Sequence, residues 1–201
     1  MIARPYVAPS PSETITHHQR LRLAIHIGLG CVPLLYWGAN LSRWALLALC
    51  LPGLVGIAFD LYRIRSPEMN EFAFSMWGGL LRESEHGRLT GASHYFLGIL
   101  GAALLYSTPV AVGASLYMTW AAPAAHLLGR SVGRRAVGRK SWAGFGAFVA
   151  VAFAVGLVFF SWPTALFGAV AAGTLELFAP RWANDNSLIP IGAGLILSLV
   201  T

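Results

Sequence analysis

Three polar stretches interrupt an otherwise apolar chain, and each holds residue types that could handle a phosphorylated substrate. The first, "GRSVGRRAVGRKSW" at 129–142, carries Arg130, Arg134, Arg135, Arg139 and Lys140 between two apolar segments. Glycines let backbone N–H groups approach an anion, arginines clamp phosphate oxygens in pairs, and Ser141 stands where a hydroxyl caps the following helix. Gly133 and Gly138 have the spacing of a nucleotide-binding P-loop. Arg139, however, intrudes before Lys140-Ser141, and the preceding segment reads as an apolar helix rather than a strand, so the P-loop is excluded. The same cations would also anchor the loop to anionic lipid headgroups and fix the topology.

The second stretch is "TLELFAPRWANDNSLIPI" at 174–191. Glu176 falls inside an apolar helix near its end, where a buried carboxylate costs several kcal/mol unless a cation accompanies it. Asp185 follows between Asn184 and Asn186, just before another helix. Hard oxygen ligands of this kind suit Mg²⁺, which takes one or two carboxylates together with substrate phosphates. The plainer alternative pairs Glu176 with Arg181 and reads "NDN" as a turn and helix cap. The third stretch, "RESEHGRLTGASHYFLG" at 82–98, places Glu85 and Arg88 before Thr90-Gly91, which opens an apolar helix whose N-terminus could face an anion. His26 and His126 lie in or beside apolar helices, where hydrogen-bonded packing is the simpler role.

These stretches need elements to position them, and composition says what those elements are. The chain has 201 residues, 56% hydrophobic and only 11% charged, with a mean hydropathy of +0.63. That excludes an ordinary soluble domain and predicts an all-α, polytopic membrane bundle. Apolar segments near 21–39, 44–62, 92–107, 109–128, 142–161, 163–179 and 187–201 predict about seven transmembrane helices. "STPV" and "SWPT" join two pairs of them as tight proline-bearing hairpins. Residues 1–19 read as a polar tail without signal-peptide features, and 20–201 as one transmembrane catalytic-type domain. Cys31 and Cys50 fall in apolar segments, where no pairing is expected.

With the N-terminus in the cytoplasm, every Lys and Arg except Arg43 falls on the cytoplasmic side, and the acids fall on or near it. One-sided polar chemistry suits an enzyme that faces cytoplasmic solutes better than a transporter, whose polar groups run through the membrane. Size and topology point to a bacterial inner membrane. Between the second and third segments, Phe72, Phe74, Met76, Trp77, Leu80 and Leu81 alternate with charges, as in a segment lying at the interface or capping the bundle.

In order and spacing the three stretches resemble the CTP-using membrane lipid kinases, namely the diacylglycerol kinases of the yeast type, dolichol kinases and phytol kinases, which are relatives of phosphatidate cytidylyltransferase. The resemblance runs from roughly His26 to the C-terminus. The family's E-x-x-R-x-T-G-A is matched by Glu85, Arg88, Thr90, Gly91 and Ala92, and its G-R-x-x-G by Gly129, Arg130 and Gly133. Its K-S is matched by Lys140 and Ser141, preceded by Gly138. Its late acid and D-N-x-x-I-P are matched by Glu176, Asp185, Asn186, Ile189 and Pro190. Two positions depart from the pattern: Ala122 and Ala143 stand where the family carries acids.

The resemblance implies transfer of the terminal phosphate of CTP to a membrane lipid alcohol such as diacylglycerol, a polyprenol or phytol. It implies Arg130, Arg134, Arg135, Lys140 and Ser141 at the nucleotide, and Glu176 and Asp185 as catalytic acids on Mg²⁺. Glu85, Arg88, Thr90, Gly91, Asn184 and Asn186 would form a wall of the site. Two alternatives stand beside it. One is CMP transfer of the cytidylyltransferase kind; the other, which Ala122 and Ala143 favour, is a non-catalytic relative that binds a nucleotide or an anionic lipid. The expected partners are nucleotide, lipid alcohol and bilayer, not nucleic acid, and a homo-oligomer is compatible with all of this.

Overall fold

A computed structural model describes residues 17–132, 136–137, 140–180 and 183–201. Most of the polar tail, the positions Gly133, Arg134, Arg135, Gly138 and Arg139, and Arg181 lie outside the described residues. Within them the chain is helical: α1 His17–Gly28, α2 Cys31–Gly38, α3 Arg43–Leu49, α4 Leu51–Arg65, α5 Pro67–Trp77, α6 Gly91–Leu105, α7 Thr108–Leu116, α8 Ala122–Val132, α9 Trp142–Phe159, α10 Trp162–Leu177 and α11 Asp185–Val200. The only extended pairing among the described residues joins β1, Ala136–Val137, to β2, Lys140–Ser141, antiparallel.

Short polar side chains start these helices by satisfying N–H groups that have no partner within the first turn. Thr90 accepts from Ser93 N at 3.2 Å and begins α6. Ser141 accepts from Gly144 N at 3.1 Å and begins α9, the capping role its position suggests. Asn184 accepts from Asn186 N at 3.0 Å and begins α11. Prolines in the first turns of α7 and α10, where no N–H is needed, close the two expected hairpins between α6 and α7 and between α9 and α10.

The seven apolar tracts are present as helices, but they are shorter or more broken than seven full spans require. Among the described residues, two stretches, His17–Gly38 and Trp142–Phe159, are long and apolar enough to cross a membrane. A third exists if α3 and α4, bent by 58° at Cys50, act as one span. The 15 residues of α6, at 1.5 Å each, reach about 22 Å of the roughly 30 Å of hydrocarbon.

The core lies where α6, α7, α9, α10 and α11 pack, around Ile99, Leu116, Tyr117, Phe148, Ile189 and Leu197. Small residues permit the close crossings. A Cβ on Gly156 would stand 2.7 Å from the Tyr117 hydroxyl and 3.0 Å from Ala165, and one on Gly168 would run into Leu197. Between α7 and α8 the helix widens into a π turn, Tyr117–Ala121. His26 donates to its Met118 carbonyl at 3.1 Å, the packing role expected for that histidine. Helix α5 lies against α4 with Asn70 and Ala73 buried, leaving Phe72, Met76 and Trp77 on the outside.

Candidate active site

The site is assembled from one end of the bundle, where the N-termini of α6, α9 and α11 meet the C-terminus of α10. Strand β2 ends in Lys140-Ser141 and carries the Lys140 side chain to two carboxylates. Its Nζ donates to Glu176 Oε1, from the last turn of α10, and at 2.8 Å to Asp185 Oδ2, the first residue of α11. These partners lie 36 and 45 residues away in sequence. The Glu176 side chain is 6% exposed, so its charge depends on this partner; Lys140 and Asp185 keep 28% and 36% exposure toward solvent. Burial alone would lower the Lys140 pKa, but the Asp185 and Glu176 carboxylates outweigh it and hold the ammonium above its ordinary value.

Asn186, the next residue along α11, donates from Nδ2 to Gly91 O at 2.8 Å and ties α11 to the start of α6. Gly91 N in turn donates to Glu85 Oε1 at 2.8 Å, while Glu85 Oε2 accepts from Arg82 N at 2.8 Å. Glu85 therefore braces both ends of the loop from Arg82 to Gly91, in which Gly87 takes a positive φ of 67°. Arg88 points outward and contributes its carbonyl. Arg130 is half-buried near the end of α8. The Arg134 and Arg135 expected at the nucleotide lie outside the described residues.

Behind this loop is a charged network that the motifs do not announce. Arg63 is 1% exposed and Asp60 3%. Arg63 Nε donates to Asp60 Oδ1 at 2.7 Å, Nη1 to Asn70 Oδ1 at 2.5 Å and Nη2 to Arg88 O at 2.6 Å, with the Glu85 carbonyl at 3.3 Å. The other Asp60 oxygen accepts from Thr90 N at 2.7 Å, Thr90 Oγ1 at 2.8 Å and Ser93 Oγ at 2.6 Å. Motif residues and network residues thus form one construction: Asp60 and Arg63 hold the loop, the loop holds Gly91, and Gly91 holds Asn186 beside Asp185. The available signal was an acid and an arginine three residues apart at the end of an apolar helix, a spacing that places them on one face.

The three stretches singled out in the sequence are therefore brought together. Ala143, in the first turn of α9, and Ala122, at the start of α8, are both half-buried. Chemically, the arrangement offers two carboxylates close enough to share one cation, with helix N-termini around them. Among the described residues there is no cluster of three or more histidine, cysteine or acidic side chains that could hold a metal unaided.

Comparison with known proteins agrees in kind. The chain is 31% identical to a protein named phytol kinase from Synechocystis sp., over 87% of this chain and 76% of the relative. It is 24% identical to CTP-dependent diacylglycerol kinase 1 of Schizosaccharomyces pombe, over 94% of this chain and 96% of that one. No family model and no solved structure matches.

Proposed function

The chain belongs to the lipid kinase family, and on that footing we propose that it transfers the terminal phosphoryl group of CTP to the hydroxyl of a membrane lipid alcohol such as diacylglycerol, a polyprenol or phytol. The bond from the terminal phosphorus to its bridging oxygen breaks and CDP leaves with that oxygen. The acceptor oxygen bonds to the same phosphorus, and the hydroxyl proton is released. The observation that carries this reading is the joining of Lys140 to Glu176 and Asp185, which draws residues from two separate motifs to one point. CTP as donor is supported by the name of the second relative and by the motif resemblance.

Phosphoryl transfer asks for positioning and charge neutralisation more than for covalent chemistry. Lys140 is set to hold phosphate oxygens, with Arg130, Arg134, Arg135 and Ser141 completing the cradle. Glu85, Arg88, Thr90, Gly91, Asn184 and Asn186 form the wall that fixes its shape. Glu176 and Asp185 fit a Mg²⁺ site: both already share one cation, and their oxygens are the hard ligands this ion takes, with phosphate oxygens and water filling the remaining positions. Mg²⁺ there would neutralise charge on the phosphates. With alanine at 122 and 143, Glu176 and Asp185 are the matched-motif carboxylates that meet Lys140, while Glu85 braces the neighbouring loop. The one-sided cations support a reaction at the cytoplasmic face of a bacterial inner membrane.

The test is to incubate purified protein with Mg²⁺, CTP labelled either at the terminal phosphate or in the base, and a panel of diacylglycerol, polyprenol, phytol and phosphatidate. Terminal label is expected in the lipid phase with CDP released. Lys140→Met, Glu176→Gln and Asp185→Asn should each lower kcat by about 10²-fold or more. Pyrophosphate release with base-labelled lipid would replace this reading with cytidylyl transfer, which neither relative's name supports. CTP binding without turnover would replace it with the non-catalytic alternative.

A further inference from the structure

Among the described residues, the apolar surface includes two hollows. The larger, about 460 Å³, is a furrow along the outer face of α10 lined by Phe167, Val170, Thr174, Leu175 and Phe178. Its walls are almost wholly apolar, with the Thr174 hydroxyl turned back to the Val170 carbonyl at 2.8 Å, and Glu176, two residues beyond Thr174, lies about half a turn round the helix on the buried side. Nothing in the furrow recognises a polar group, so it is a place for bilayer lipid. The smaller hollow, about 240 Å³, lies between α4, α5 and α6 and has two unlike ends. Phe59, Trp77, Leu80 and Phe96 make its sides, while Asp60, Thr90 and Ser93 close it.

We propose that this smaller pocket receives the hydrocarbon chain of the acceptor alcohol, with the acceptor's hydroxyl toward the Asp60–Thr90–Ser93 end; the assignment rests on the kinase reading given above. Three observations point to an amphiphile rather than to incomplete packing. First, α4 presents Gly53 and Gly56 to the hollow, one turn apart. A Cβ on Gly53 would press into the Phe96 ring, whereas a Cβ on Gly56 meets nothing within 4 Å. The space persists because residue 56 has no side chain, and any apolar residue there would fill it. Second, the hollow is lined by polar side chains as well as apolar ones: Asp60, itself held by Arg63, with Thr90 and Ser93. An apolar cavity with a few convergent polar groups is the usual form of a site for a small amphiphile. Third, the polar end is continuous with the nucleotide side. Thr90 adjoins Gly91, whose carbonyl is held by Asn186, next to Asp185. A hollow of about 240 Å³ takes a short run of methylene groups. A longer tail would continue into the bilayer.

The probe is a long-chain alcohol bearing a diazirine in its chain, photolysed with the full-length protein in lipid nanodiscs, with adducts mapped by mass spectrometry. Adducts are expected to concentrate on α4 and α6, to be competed by unlabelled alcohol, and to fall about tenfold in Gly56→Phe, equal to ~1.4 kcal/mol of chain binding. CTP binding should stay unchanged, which also reports that the variant is folded. Gly56→Leu serves in case Phe proves too large, and Val170→Phe, in the outer furrow, should leave labelling as it was. Adducts spread evenly over lipid-facing helices, or labelling indifferent to residue 56, would overturn the assignment. Labelling needs no turnover, so the two readings can fail separately. Adducts on α4 and α6 without phosphate transfer keep the pocket and remove the kinase. Phosphate transfer with an unchanged acceptor KM in Gly56→Phe keeps the kinase and removes the pocket.

Discussion

Arg63 turns every guanidinium nitrogen toward an oxygen of Asp60, Asn70, Glu85 or Arg88 while almost wholly buried. Removing one member of such a pair strands the other as an uncompensated charge, which costs about 3–5 kcal/mol. Arg63→Met should therefore lower the unfolding midpoint in detergent sharply, and so should Asp60→Asn, which leaves Arg63 uncompensated and turns one of two accepting oxygens into an NH₂ donor. A midpoint that stays put in either variant would mean that charge compensation is not the source of the stability. In the sequence Arg63 was one loop cation among several, because spacing shows that Asp60 and Arg63 share a face but not that the face turns inward. The caps Ser141 and Asn184 were legible, since capping is decided within three residues. The Lys140 contacts were not: the carboxylates read as metal ligands and the lysine as a phosphate ligand, and only the folded chain shows these groups holding one another.

Among the helices, tract positions and hairpin turns could be read from apolar runs and prolines, whereas lengths and breaks could not. The bend at Cys50 and the π turn at Tyr117–Ala121 lie inside continuous apolar sequence, where periodicity gives no warning. Packing of α6 on α11 is tightest at Gly98, where a side chain would collide with the Asn186 carbonyl and crowd Pro190. Gly98→Leu should separate the two helices, destabilise the protein by about 1–3 kcal/mol and break the Asn186–Gly91 bond. Gly146→Ala, at an α9 position with nothing within 4 Å, should be neutral or gain up to about 1 kcal/mol. Thermal unfolding of both variants checks the contrast, and a stable Gly98→Leu would show that the crossing has slack.

For the whole molecule, the chemistry gathers at one end. The ends of α4 and α10 and the beginnings of α6, α9 and α11 converge there, while the α6–α7 and α9–α10 hairpins lie at the other. In a background with Cys31, the exposed cysteine, changed to serine, single cysteines at Ser66 and Ser131 should react with an impermeant maleimide from the same side of the membrane. A cysteine at Trp162, in the opposite hairpin, should react from the other side. Labelling of Ser66 and Trp162 positions from one side would overturn this arrangement. The cations in the sequence predict the same sidedness, although some of them, Arg63 above all, serve internal contacts.

The convergence of three helix beginnings also has an electrical meaning. Each beginning contributes roughly half a positive charge from its aligned peptide dipoles and each of the two helix ends beside them roughly half a negative one, so the balance near Lys140 is a fixed pole of about +0.5. That field is built from backbone rather than from ionisable side chains. It cannot be titrated away, it needs no rotamer to be frozen when an anion arrives, and it would persist if every arginine of the neighbouring loop were replaced.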